Sequence, residues 1–121
     1  MSAENIYLAV FLGSKTGARR AAWDALSESA RQAKQQEGMV AWQAWMEKHQ
    51  AAILPSGGPL GKTKKITQRG VADTSNELGA FTLVRAESHE AAAKLFEGHP
   101  HFTIFPGDAI EIMPVLPIPG A

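Results

Sequence analysis

The last third of the chain sets the tightest limit on its fold. Ala80 to Ala86 alternates as a strand, with Phe81 and Leu83 on one face and Thr82 and Val84 on the other. Ser88 follows as an N-cap, with Glu90 in the first turn where the helix dipole favours an acid. Ala92, Leu95 and Phe96 give that helix an apolar face, and Gly98 ends it. The turn His99-Pro100-His101 leads to a last strand over Ala109 to Val115, after which Pro117 and Pro119 keep the tail extended.

The earlier chain supplies matching parts. Ile6 to Leu12 reads as a strand with Ile6, Leu8, Val10 and Leu12 on one side and Tyr7, Ala9 and Phe11 on the other. After a turn at Gly13 to Gly17, a helix is expected from about Ala18 to Gln36, striped by Ala22, Trp23, Leu26, Ala30 and Ala33, with Gly38 as its stop. Met39 to Ile53 reads as a second helix: Met39, Trp42, Met46, His49 and Ile53 recur at helical spacing, with Trp45 toward the edge. Pro55 to Pro59 breaks it. Lys64 to Gln68 is a short strand, and Gly70 to Gly79 a polar loop.

The order strand, helix pair, two strands, helix, strand gives an α+β fold: a ferredoxin-like antiparallel sheet with helices on one face, here expected as one domain over residues 1–121. Helices on one face leave the other bare. Tyr7, Ala9, Phe11 and Val84 are expected to need a second cover, which a homodimer packed sheet to sheet would supply.

Composition removes several function classes. Twelve basic and twelve acidic residues cancel, which argues against duplex nucleic acid or an anionic membrane as partner. With no cysteine there is no disulfide, thiol catalysis or Cys-ligated metal. Ile6 to Leu12 is too short for a membrane span and lacks signal-peptide flanks, so a cytoplasmic protein is expected. The run Ser56-Gly57-Gly58-Pro59-Leu60-Gly61-Lys62-Thr63 imitates a phosphate loop but fails: Ser56 stands where Gly is required, Pro59 removes a donor, and a strand rather than a helix follows. Lys62, Lys64, Lys65 and Arg69 form a basic cluster, read either as a small-anion site or as a solvated hairpin edge.

Gly58-Pro59-Leu60, Gly79 to Phe96, His99-Pro100 and Ile110 to Val115 together resemble the YCII-related (DGPF) family of the dimeric α+β barrel superfamily, over nearly the whole chain. The resemblance implies a ferredoxin-like subunit and a dimer with clefts near the sheet. It also implies, for some members, a His on the helix before the Gly-Pro turn paired with the Asp of an Asp-Pro after the last helix. In this chain His99 stands at the Asp position, and Ala41 or Trp42 near the helix His. His49, about two turns further along the Trp42 face, is the substitute.

The candidate catalytic residues are His99, His49 and Glu111: His99 as proton shuttle, and His49 or Glu111 to orient it or act as second acid-base group. Their bland alternatives are a solvated turn for His99, a hydrogen-bonded core histidine for His49, and a paired strand-edge carboxylate for Glu111, which alternation sets on the Tyr7 face. His101, Trp42, Tyr7, Gly58 and Pro59 are the ligand-binding candidates; Trp42 and Trp45 serve either an aromatic ligand or the core. If His99-Pro100-His101 is extended, both imidazoles point one way and could ligate a metal, but a third ligand would have to come from His49, Asp108 or Glu111. No metal or other cofactor is assigned. The expected protein is a small-molecule-binding homodimer, either a lyase or isomerase using general acid-base chemistry or a non-catalytic binding module.

Overall fold

The computed structural model describes residues 5–120. Its elements are β1 (Asn5–Leu12), α1 (Ala18–Asp24), α2 (Glu28–Lys48), β2 (Ile53–Pro59), β3 (Thr63–Thr67), β4 (Gly70–Thr74), β5 (Leu78–Ala86), α3 (His89–Lys94), α4 (Pro100–Thr103) and β6 (Ala109–Pro114). Four strands form one antiparallel sheet in the order β2-β5-β1-β6, and β3 and β4 form a separate hairpin. This is the expected α+β ferredoxin-like arrangement, with helices on one face.

The helical region is divided differently from its sequence reading. The break falls at Ala25 to Ser27, where Ser27 Oγ accepts from Ala30 N–H and starts α2. From there one helix runs through Gly38 to Lys48. Gly38 is a notch in it: a Cβ there would lie 2.4 Å from Cε2 of Phe105. The stripe also shifts. Met39 and Met46 are largely exposed, while Trp45, read as marginal, is buried and donates from Nε1 to the Leu95 carbonyl at 2.8 Å. Pro55 to Pro59 does more than end a helix; it belongs to edge strand β2, whose pairing with β5 skips Leu54, Pro55 and Ser56. The polar loop after Gly70 holds β4.

The two faces of β1 are exchanged relative to expectation. Tyr7, Ala9, Phe11 and Val84 lie under the helices, in one buried cluster with Trp45, Ala92 and Phe96. They need no partner. The open face carries Ile6, Leu8, Val10 and Leu12, all half-buried, beside their register partners Leu83, Phe81 and Met113. Glu111 is paired with Val10, so it shares that open face and not the Tyr7 face, and it is exposed.

Candidate functional site

Between the C-terminal half of α2, strand β2 and the start of β5 lies a cleft of about 750 Å³. Trp42, Trp45, Met46 and Gln50 form one wall, Ile53 to Pro59 a second, and Gly79 to Thr82 a third, with His101 contributing from α4. Of the residues singled out in the sequence, the cleft brings together Trp42, Gly58, Pro59 and His101. Tyr7 sits elsewhere, in the core, its ring stacked on His89 at 5.4 Å. Glu111 is on the opposite side of the sheet, and neither His99 nor His49 lines the cleft.

His99 is not solvated, and the His99-Pro100-His101 stretch is not extended throughout, because a helix begins at Pro100. His99 is fully buried and serves as the N-cap of α4, its Nδ1 accepting from the His101 N–H at 3.0 Å. Pro100 at the first helical position fits the same start. Because Nδ1 accepts, the neutral ring must carry its hydrogen on Nε2. No described residue accepts from that buried Nε2. The ring is packed edge-on against Trp42 at 4.5 Å and Trp45 at 4.7 Å, with Phe11 and Phe96 beside it. Burial, with smaller contributions from His101 and His49, pushes its pKa down to about 4. At neutral pH His99 is therefore an uncharged hydrogen-bond donor.

His101 occupies a different environment, because a helical start turns the two imidazoles apart. Its Nε2 donates to the Leu12 carbonyl at 2.8 Å, and its ring stands edge-on to Phe11 at 5.2 Å. Burial lowers its pKa, while the carbonyls of Leu12 and Ala109 and the carboxylate of Asp108 pull the other way. Gly107 makes room for it: a Cβ there would fall 2.2 Å from His101 Nε2. Arg19 of α1 ties down this segment by donating to the carbonyls of Phe102 and Gly107.

His49 caps the C-terminus of α2, its ring 5.2 Å from that of Trp45. Trp45 thus touches both His49 and His99, which share no hydrogen bond. Burial, then Lys48, lowers the His49 pKa. Among the described residues no group of three His, Asp or Glu could hold a metal ion.

Sequence reasoning missed Gly107, Gln50 and Thr82. Pro106-Gly107-Asp108 reads as an ordinary turn, and the other two are polar residues without a motif. A second, polar cleft of about 860 Å³ lies between the β3–β4 hairpin and the loop after β1. Lys62 and Lys64 of the basic cluster line it, Lys64 being paired with Asp73 at 2.6 Å; Lys65 and Arg69 do not. No described helix is long and apolar enough to cross a membrane.

The chain matches no protein-family model and no curated protein sequence. Among solved structures it is similar to 5-chloro-2-hydroxyhydroquinone dehydrochlorinase from Burkholderia phenoliruptrix AC1100, in complex with 2,5-dihydroxybenzoquinone. The two are 19% identical over 89% of this chain and 90% of that chain, with a TM-score of 0.50. At that identity the likeness is one of fold alone.

Proposed function

We propose that this protein binds a small organic molecule in the cleft between Trp42, β2 and His101. The observation that carries the reading is the composition and size of that cleft: two indoles, a wall of aliphatic side chains and one buried-edge histidine around about 750 Å³. In its catalytic form the protein is a lyase or isomerase. His101 is then the acid-base residue, with Nδ1 unprotonated in the neutral ring because Nε2 donates to Leu12. His99 positions it, by capping the helix on which it stands. Glu111 and His49 have no part in the reaction. The protein of similar fold is named a dehydrochlorinase, which is compatible with the lyase reading.

The second reading is a binding module without chemistry. It is favoured by the absence of any carboxylate among the described residues lining the cleft, so that no second acid-base group of that kind faces a ligand there. The test is a panel of small molecules read by tryptophan fluorescence, followed by assay of any ligand for turnover. Turnover lost in His101→Ala with binding kept favours the enzyme. Binding without turnover in the parent protein favours the module.

We further propose membership of the YCII-related family, on the segments around Gly58-Pro59, Ser88 and His99-Pro100, and a homodimer formed through the open sheet face. Ile6, Leu8, Val10, Phe81 and Leu83 make that face apolar. Leu8→Arg is expected to convert a dimer to a monomer in light scattering. A parent protein that is already monomeric would sink this part.

A further inference from the structure

The walls of the Trp42–His101 cleft carry no formal charge. Charged residues make up 20% of the chain, yet no Asp, Glu, Lys or Arg is among the described residues that line it. The neighbouring polar cleft differs sharply, with Lys15, Arg20, Lys62, Lys64, Asp73 and Glu77 in its walls. What polar capacity the first cleft has comes from neutral side chains: Gln50, Ser56, Thr82 and His101. Each can donate or accept one or more hydrogen bonds without bringing a charge.

Its aromatic surfaces are also fixed in place. Trp42 is stacked on Phe11 at 5.3 Å, and Trp45 is held by its hydrogen bond to Leu95. Rigid indoles favour a flat ring, because neither partner loses much freedom when they meet. Beside them, Leu54, Pro55 and Ser56, which fall outside the β5 register, complete an uncharged wall.

We propose that the cleft takes an uncharged hydroxylated aromatic ring, a phenol-type molecule, and discriminates against the carboxylate of the same ring. This rests on the reading of the cleft as a small-molecule site. A hydroxyl both donates and accepts, so it can pair with Gln50, Ser56 or Thr82. An ionised carboxylate would leave water for a wall that offers no cation, and that desolvation is uncompensated.

Equilibrium dialysis near neutral pH with 2-naphthol and 2-naphthoate tests the proposal. Naphthol is expected to bind, and naphthoate to bind at least about tenfold more weakly. Gln50→Lys, at an exposed position near the end of the α2 wall, should restore naphthoate binding while the protein stays folded. Naphthoate binding as tightly as naphthol to the parent protein would overturn the discrimination but leave the cleft a binding site. No gain of naphthoate binding in Gln50→Lys would overturn the attribution of selectivity to the missing charge. Binding of neither ring, or naphthol binding untouched by Trp42→Ala, would overturn the cleft reading with it.

Discussion

Acid should destabilise this protein through its buried histidines, and the size of the His99 contribution can be worked out. The His99 pKa is about 4 in the folded chain against an ordinary 6.5. Between those values the unfolded chain takes up a proton that the native state refuses. Stability is therefore fully present above about pH 6.5 and is lost as pH falls toward 4. Integrating the difference from about pH 7 to about pH 4.5 gives a loss of about 2 kcal/mol from this one group. His101 shifts in the same direction and adds to it. The informative variant is His99→Asn. Asparagine is a good N-cap and can still accept from the His101 N–H, but it does not titrate. It leaves a small cavity and lowers stability at neutral pH. Urea unfolding of both proteins at the two pH values isolates His99, because every other titrating group is common to them. The parent should lose about 2 kcal/mol more than the variant across the interval. Equal losses would mean that the ring is hydrated or already protonated, and the buried neutral histidine would be refuted.

Two further substitutions probe how the site is supported. Gly107→Ala should push the His101 ring from its place, since the added carbon would lie 2.3 Å from Cε1; a cost of about 1–3 kcal/mol in urea unfolding and loss of cleft ligand binding are expected. Trp45→Phe keeps an aromatic ring but leaves the Leu95 carbonyl without its indole donor, for a loss of about 1–2 kcal/mol by the same measurement. A Trp45→Phe midpoint equal to the parent's would show that the bond contributes nothing.

Local signals that coincide with local structure were readable. Ser88 caps α3 by accepting from Ala91 N–H at 3.1 Å, as its position before the alanine run implies, and the strand order leads directly to the fold. What could not be read depends on residues distant in sequence. β1 is apolar on both sides, so alternation alone cannot say which side the helices cover; they cover the side with Ala9, which with Ala92 is wholly buried. Gly38 resembles a helix stop until Phe105 is seen against it. His99 carries no mark of burial in its own neighbourhood, because its apolar shell comes from β1, α2 and the end of α3. The candidate site was legible in its residue types, Trp42, Gly58, Pro59 and His101. The division of labour between the two histidines was not, since it follows from one turn of helix that begins at Pro100.

The outer strands of the sheet have a consequence for how copies of this chain can meet. One margin is β2, which contains Pro55 and Pro59, and the other is β6, which ends at Pro114. Each proline withholds a backbone donor from any strand that might be added alongside, and β2 is further interrupted where its register slips. Growth sideways into a continuous ribbon is thus obstructed at both borders, while the broad apolar surface between them stays free of such obstacles. The homodimer proposed above would meet flat, as two palms do, and the proline-marked borders resist the edge-by-edge stacking that leads to fibres.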